Sequence, residues 1–298
     1  DKNFIKSGFI STTVIIIGYV WSNPIISTEE LGSRNLARIE INTPKSQLKL
    51  LEYVEGDFST LSVIENKESK ARTLYMNGFS TATVSNSIGG SAYMQAMGFI
   101  PMVLHPNPKK TMVICFGTGN TTGTVSLFPE VQVDSVEIDK NVLSLAHHFS
   151  KWNHNAQRKK NIHMHIQDGR TFTRWSKKSY DVITLEPMSP VQAGTVNLYS
   201  REFYQLAAKR LNKDGLMMQW LPLHLVGPDD AKSILKTFQE VFPHTYIWNS
   251  FLTRIVLLVG SKEKIAIDKI RFDELMRLPD IKNLAQQIGI NSFLDFKG

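Results

Sequence analysis

A glycine-rich turn directly after an apolar run is the first feature of this sequence that could do chemistry. Residues 111–116 (TMVICF) are followed at once by Gly117, Thr118, Gly119 and Asn120. Because glycine has no Cβ, such a turn can bend sharply and bring the backbone close to a ligand. A helix that begins after the turn offers free backbone N–H groups. A lone Gly-x-Gly is a weak signal, so the residues that follow decide its meaning.

Three acidic residues stand at the ends of later strand candidates. They are Glu137, Asp168 and Glu186, and Glu137 lies 20 residues after Gly117. The strand candidates that precede or contain them are 131–138, 162–166 and 181–185. In open α/β sheets the carboxyl ends of the strands form the ligand crevice, and an acidic residue about 20 positions after the turn binds ribose hydroxyls. We therefore expect the three carboxylates to line one crevice.

If a nucleoside binds in that crevice, each of these residues has an expected role. Glu137 would hold the ribose, Asp168 with Gly169 the adenine, and Gly117, Gly119 and Asn120 the tail of the ligand. An alternative reading is that Glu137 only caps the next helix. The sequence has neither a full Gly-x-Gly-x-x-Gly nor a Gly-Lys-Ser/Thr loop. The pattern therefore favours a nucleoside of the S-adenosylmethionine type over a dinucleotide.

The elements around these residues predict an α/β protein. Strand candidates alternate with helix candidates after the breaker Pro106-Asn107-Pro108, which indicates a mostly parallel sheet with helices on both faces. The further strand candidates are 216–221, 245–248 and 255–259, and the helix candidates are 93–104, 142–149, 201–211 and 229–242. Residues 47–77 contain short strand-like runs separated by turn residues, which predicts a small antiparallel sheet. We divide the chain into a hydrophobic N-terminal segment (1–30), a small β domain (40–85), a nucleoside-binding domain (91–265) and a helical tail (266–298).

The composition excludes several classes of protein. Of the 298 residues, 42% are hydrophobic and 20% are charged, which argues against wholesale disorder, collagen and coiled coil. The one cysteine, Cys115, excludes a disulfide framework and a cysteine-rich metal site. Because it lies in an apolar run, we expect a buried, inert thiol. The net charge of +7 is compatible with several kinds of ligand and decides between none of them.

The N-terminal segment allows two interpretations. Residues 8–21 (GFISTTVIIIGYVW) are uncharged and apolar, but they are shorter than the roughly 20 residues of a membrane-spanning helix. They resemble a signal-peptide core or the end of a longer membrane segment. The run of β-branched residues from Thr12 to Ile17 equally fits a buried strand. The chain begins with Asp1 rather than Met, so we expect residues upstream of it.

Several short stretches resemble the polyamine aminopropyltransferase (spermidine synthase) family. The matching stretches are 72–78 (RTLYMNG), 101–109 (PMVLHPNPK), 136–139 (VEID), 180–183 (YDVI), 186–187 (EP), 197–204 (NLYSREFY), 219–223 (QWLPL) and 237–243. The resemblance is closest to bacterial spermidine-synthase-like domains fused behind membrane segments, and it covers residues 51–261. It implies a methyltransferase-like Rossmann fold preceded by a small N-terminal antiparallel β domain.

Departures from the family pattern fall on the residues that would contact the substrates. The resemblance places Asn120 where the family has an aspartate that holds the donor's amino group. It also places Glu186 and Ser189 where the family has two aspartates that serve the acceptor amine. Tyr93 and Gln95 stand in the acceptor gate, where the family has a tyrosine and an acidic residue. Glu186 remains available as the base, since an attacking amine must lose a proton.

Histidines are the remaining candidates for metal ligands. His147, His148, His154, His163 and His165 cluster in the sequence, and His163 and His165 share one face of a strand candidate. A metal site would need such pairs to converge with further ligands, and no cysteine stands among them. We predict no metal. The basic run 158–160 with Lys151 is read as a solvated loop, so no nucleic-acid partner is expected.

Three functional hypotheses follow. The first is a transferase that binds S-adenosylmethionine or its decarboxylated form and transfers an aminopropyl or aminocarboxypropyl group to an amine, releasing 5′-methylthioadenosine. The second is an S-adenosylmethionine-dependent methyltransferase, and the third is a catalytically degenerate nucleoside-binding domain of a membrane protein. We expect the protein to be either membrane-associated, with attachment through its N-terminus, or cytoplasmic. The candidate assembly is a homodimer.

Overall fold

The computed structural model describes residues 47–86, 91–249 and 254–297. The apolar segment 8–21 lies outside these residues. Within the three described ranges, none of the helices combines the length and apolarity that crossing a bilayer requires.

The first described unit is an antiparallel sheet of four strands. Its strands are β1 (Leu48–Glu55), β2 (Thr60–Asn66), β3 (Arg72–Met76) and β4 (Phe79–Val84), and they pair in chain order. The turn between β3 and β4 is Asn77-Gly78, and both residues have positive φ (53° and 81°). Asn-Gly is the pair that favours such a hairpin turn, because both positions must adopt the left-handed region. Local turn chemistry therefore sets the register of this hairpin.

The second unit is a seven-stranded sheet. Its strands are β5 (Lys110–Ile114), β6 (Gln132–Glu137), β7 (Ile162–Ile166), β8 (Tyr180–Leu185), β9 (Leu211–Pro222), β10 (His244–Asn249) and β11 (Ile255–Ser261). The order across the sheet is β10-β11-β9-β8-β5-β6-β7. The strands from β9 to β7 pair in parallel, and β10 and β11 are antiparallel. The predicted mostly parallel sheet is confirmed.

Helices cover both faces of this sheet. They are α1 (Ala92–Leu104), α2 (Asn120–Val125), α3 (Lys140–Leu145), α4 (Gly169–Trp175), α5 (Arg201–Arg210), α6 (Pro228–Val241), α7 (Lys269–Leu275), α8 (Pro279–Gln287) and α9 (Phe293–Lys297). Side chains along β5 alternate between two apolar clusters: Val113 packs with α1, and Met112 and Ile114 pack in the cluster that contains residues of α5 and α6. This alternation is expected for a strand buried on both faces.

Among the elements whose ends differ from the sequence predictions, two helices show the physical reason. The helix predicted at 142–149 is α3 followed by a 3₁₀ helix, Ala146–Phe149. Helix α3 begins earlier because the Asp139 side chain accepts from the backbone N–H of Asn141 and so caps it. Leu211, predicted as the last helical residue, has extended backbone angles and begins β9 instead.

The C-terminal helices complete the core beside α1. Phe272 of α7 and Phe296 of α9 stack with ring centroids 5.4 Å apart, and Phe296 also meets Phe99 of α1 edge-on at 6.2 Å. The Arg271 guanidinium donates to the carbonyls of Met102 and Val103 at the end of α1. The tail is therefore part of the structure that holds α1 against the sheet.

Candidate functional site

The strand order brings the predicted acidic residues to one edge. Strands β8, β5, β6 and β7 are consecutive neighbours and run in parallel, so their carboxyl ends lie side by side. Strand β6, which follows β5 in the chain, lies on one side of β5, and β8 lies on its other side. Such a switch point, outside the carboxyl ends of the strands, is where open α/β sheets bind ligands.

The turn after β5 adopts a backbone that ordinary residues rarely take. Gly117 and Gly119 have φ of 53° and 82°, as the sequence predicted for a sharp turn. Cys115 also has a positive φ, 70°, although it is not glycine. Non-glycine residues in this region cost free energy and cluster at functional sites. Sequence reasoning missed this position, because cysteine carries no conformational signal for a left-handed backbone.

Glu137 is held by the backbone around it. One carboxylate oxygen accepts from the N–H groups of Phe116 (2.9 Å) and Gly117 (3.4 Å). The other accepts from Ile138 (2.8 Å) and Asp139 (3.1 Å). The side chain is buried, and burial raises its pKa while these hydrogen bonds oppose the rise. Glu137 does not cap α3, since Asp139 does so. Its carboxylate is instead oriented against the glycine turn.

Asp168 and Gly169 connect β7 to α4. The Asp168 carboxylate caps α4 by accepting from the N–H of Thr171 at 2.7 Å. Gly169 lies so close to Ile114 of β5 that an added Cβ would stand 2.3 Å from the Ile114 methyl group. This position needs glycine because the helix start is pressed against the end of the central strand. Asp168 therefore stands between the end of β7 and the start of α4, where the adenine was predicted to bind.

Glu186 and Tyr93 form the shortest contact of the site. The Tyr93 hydroxyl donates to Glu186 Oε1 at 2.6 Å. Burial raises the pKa of the Glu186 carboxyl to about 7, and the hydrogen bond from Tyr93 opposes part of that rise. Burial and the neighbouring Glu186 raise the pKa of Tyr93 well above its usual range, so Tyr93 remains the donor. A carboxyl group with a pKa near 7 is suited to general base catalysis.

The charges of all three carboxylates act on the thiol of Cys115. Burial raises the pKa of its thiol, and the charges of Glu137, Glu186 and Asp168 raise it further, in that order. A thiol among carboxylates is a poor nucleophile, because the thiolate would be repelled. The raised pKa agrees with the expected inert thiol, although the Cys115 side chain is half-buried and not fully buried as expected.

Asn120 is the first residue of α2 and is buried. Its Nδ2 donates to the Thr118 hydroxyl at 3.2 Å and approaches the Met94 sulfur at 3.9 Å. Its Oδ1 has no hydrogen-bond partner in the described part of the chain. A buried acceptor without a partner costs free energy, so a ligand N–H that reached it would be stabilised.

Gln95 and Ser189 are not joined to the Tyr93–Glu186 pair. Two residues further along α1, Gln95 faces away from Tyr93, and its Nε2 donates to Gln287 Oε1 of α8 at 3.0 Å. The Ser189 hydroxyl donates to the carbonyl of Leu225, in the loop after β9, at 3.4 Å. The contribution of α8 was missed by sequence reasoning, because Gln287 lies 192 residues from its partner.

Comparison with known families gives one match over more than half of the chain. The profile described as "Spermine/spermidine synthase domain" matches residues 90–260. Among curated relatives, the polyamine aminopropyltransferase of Methanocaldococcus jannaschii is 25% identical over 249 residues, which cover 80% of this chain and 83% of the relative. That of Lachnoclostridium phytofermentans is 27% identical over 169 residues, or 55% of this chain and 57% of the relative.

Solved structures show the same fold. A spermidine synthase in complex with the transition-state analogue AdoDATO superposes with a TM-score of 0.68 at 20% identity, covering 81% of this chain and 89% of that one. The spermidine synthase from Thermotoga maritima gives 0.65 at 20% identity, covering 81% and 88%. Both support the α/β architecture with its small antiparallel sheet and its Rossmann-like sheet.

Proposed function

Because this chain belongs to the spermine/spermidine synthase domain family, we propose that it is a spermidine synthase-like transferase. It binds a donor of the S-adenosylmethionine class and transfers an aminopropyl or aminocarboxypropyl group to an amine. The pair of Tyr93 and Glu186 is the observation that carries this proposal. The carboxyl group of this pair has a pKa of about 7 and belongs to the residue that directly follows β8, which supports a base at the carboxyl ends of the strands.

The donor lies across the ends of β5, β6 and β7 in this proposal. The ribose hydroxyls donate to the Glu137 carboxylate in place of the long, 3.4 Å hydrogen bond from the Gly117 N–H, and the adenine amino group donates to Asp168. The sulfonium tail extends along Gly117 and Gly119 toward Asn120 and Glu186. The fixed position of Glu137 means that ribose binding requires little reorganisation of the protein.

The reaction requires one proton transfer and one displacement. Glu186 takes a proton from the acceptor amine, and the amine nitrogen then attacks the methylene carbon next to the sulfonium sulfur. The carbon–nitrogen bond forms as the carbon–sulfur bond breaks, and the electron pair passes to sulfur. The products are the alkylated amine and 5′-methylthioadenosine. The protein supplies orientation and the base, because the sulfonium is already a good leaving group.

The proposed function is tested by incubating the protein with each donor and an amine and identifying the nucleoside product by mass. Release of 5′-methylthioadenosine that depends on the amine supports the proposal. Adenosylhomocysteine together with a methylated acceptor would instead indicate methyl transfer. Binding of the donor without turnover would indicate a degenerate domain.

The pH dependence of turnover should report the Tyr93–Glu186 pair. Glu186 must be ionised to accept a proton, so kcat/KM should rise with pH and level off above about 7. Tyr93→Phe removes the hydrogen bond that lowers the pKa of Glu186. The rise should therefore move to higher pH in that variant. Tyr75→Phe, in β3 of the small sheet, is the matched control and should leave the profile in place. An unchanged profile in Tyr93→Phe would contradict this assignment.

The neutral side chain of Asn120 should allow an intact carboxylate on the donor. Removing a like charge within about 4 Å relieves on the order of 4 kcal/mol at an effective dielectric near 20. We expect S-adenosylmethionine to bind at least as tightly as its decarboxylated form, measured by parallel calorimetric titrations. Asn120→Asp should weaken binding of the intact donor at least tenfold.

The control for this titration is the same substitution at the opposite edge of the sheet. Asn107 is exposed and lies just before the amino end of β5. Asn107→Asp therefore adds the charge far from the carboxyl ends of the strands. This variant should bind S-adenosylmethionine and its decarboxylated form with the same affinities as the unmodified protein. If the unmodified protein binds the decarboxylated donor at least tenfold more tightly, the charge argument fails, and ordinary polyamine synthesis is the better description.

A further inference from the structure

A cluster of two histidines and one glutamate joins the small sheet to the Rossmann-like unit. Glu52 lies on β1, and His147 and His148 lie in the 3₁₀ helix after α3. Glu52 Oε2 is 2.6 Å from His148 Nε2 and 3.7 Å from His147 Nε2. The two imidazole rings are 4.0 Å apart between centroids and tilted by 37°, so both present nitrogen atoms to the same carboxylate.

The other ring nitrogen of His147 makes a contact that orients this side chain as in a metal site. His147 Nδ1 lies 2.8 Å from the carbonyl oxygen of Ser144. A carbonyl oxygen can only accept, so Nδ1 carries the proton and Nε2 presents its lone pair toward Glu52. Histidines that bind metals typically donate their other ring N–H to a carbonyl or a carboxylate in this way.

The backbone of His148 is also held. Arg72 of β3 donates to the His148 carbonyl at 2.6 Å. The charge of Arg72 is paired with Glu65 at 2.9 Å, so it is not left unbalanced beside the cluster. Contacts to the small sheet therefore fix both the main chain and the side chain of His148.

We propose that Glu52, His147 and His148 bind a divalent metal ion of the zinc type. Their potential ligand atoms all lie within 4.8 Å of one another. Two imidazoles and a carboxylate suit Zn²⁺, with water in the fourth position, whereas Mg²⁺ prefers oxygen ligands. The metal takes the place of the proton that His148 Nε2 shares with Glu52. That proton moves to Nδ1 or, from an imidazolium, to solvent.

The site differs from the histidine pair considered in the sequence. His165 is 2.8 Å from Asp134, which also binds Lys178 and Tyr180, and His163 is exposed on β7. The carboxylate that completes the proposed site lies 96 residues before His148. The prediction of no metal was made without this ligand. Bound metal would fasten β1 to the 3₁₀ helix and so stabilise the contact between the two sheets.

The test is a titration of the tag-free chain with Zn²⁺ by calorimetry and with Co²⁺ by visible absorption. We expect one ion per chain with a dissociation constant in the micromolar range and a rise in the melting temperature with Zn²⁺. Mg²⁺ should produce neither effect. His147→Gln and His148→Gln should each weaken Zn²⁺ binding about tenfold or more. His163→Gln should bind as the unmodified protein does.

Glu52→Gln tests the carboxylate, with Glu68→Gln in the exposed turn between β2 and β3 as its control. Glu52→Gln should lower the affinity for Zn²⁺ while leaving the metal-free melting temperature close to that of Glu68→Gln. Absence of binding to the unmodified protein below 1 mM Zn²⁺ would overturn the proposal. Binding that survives in both histidine variants would also overturn it. The titration of the unmodified chain decides the matter even if a variant does not fold.

Discussion

Glu186→Gln is expected to lower kcat by about 10²–10⁴-fold while leaving the affinity for the nucleoside donor nearly unchanged. Glutamine keeps the size of the side chain and can still accept the hydrogen bond from Tyr93, but it cannot take a proton from the acceptor amine. The loss should therefore appear in turnover rather than in donor binding. Rapid mixing of enzyme, donor and amine, with quantification of 5′-methylthioadenosine, measures the first quantity, and calorimetry measures the second.

Two variants make the result specific. Glu240→Gln removes a carboxylate from the protein surface, where it pairs with Arg201, and should retain full turnover. Glu186→Asp keeps the base but withdraws it by one methylene from Tyr93, and its turnover should fall between those of the glutamine variant and the unmodified protein. A Glu186→Gln enzyme that turns over normally would exclude the proposed base.

Glu137→Ala is expected to weaken donor binding by about 2 kcal/mol, or roughly 30-fold, because two ribose hydroxyls lose a charged acceptor. It should also destabilise the protein, since the carboxylate accepts from four backbone N–H groups. A buried donor left without a partner costs about 1–3 kcal/mol. Calorimetry gives the first effect, and the urea dependence of unfolding gives the second.

Glu137→Gln separates the two effects. It keeps one acceptor oxygen but turns an amide NH₂ toward a pair of backbone N–H groups, so part of the destabilisation should remain. Donor binding is measured at a temperature where each variant is folded, so that unfolding is not mistaken for weak binding. A Glu137→Ala protein that is destabilised but binds the donor normally would leave Glu137 with a purely structural role in the glycine turn.

The sequence alone predicted the edge of the sheet that carries the proposed site. The glycine turn, the 20-residue spacing to Glu137 and the acidic ends of β7 and β8 are local patterns. Parallel strands place their carboxyl ends on one side whatever the details of packing. The match over residues 90–260 confirms the family that the short motifs indicated. The residue types and their spacing along the chain were sufficient for these inferences.

Helix ends were less well predicted, because capping decides them. The start of α3 depends on Asp139, and the end of α5 depends on Leu211 entering β9. Each is a competition between a few backbone hydrogen bonds, which hydrophobic periodicity does not report.

Only the tertiary structure decided which side chains meet. Tyr93 reaches Glu186 across 93 residues, and Gln95 is drawn to Gln287 of the C-terminal helices instead of to the same pair. Glu52 reaches His148 from the other sheet. Such contacts depend on how helices and sheets pack, and residue spacing along the chain does not encode them. The same packing partly buries Glu186 and so raises the pKa of its carboxyl group, which no motif could have predicted.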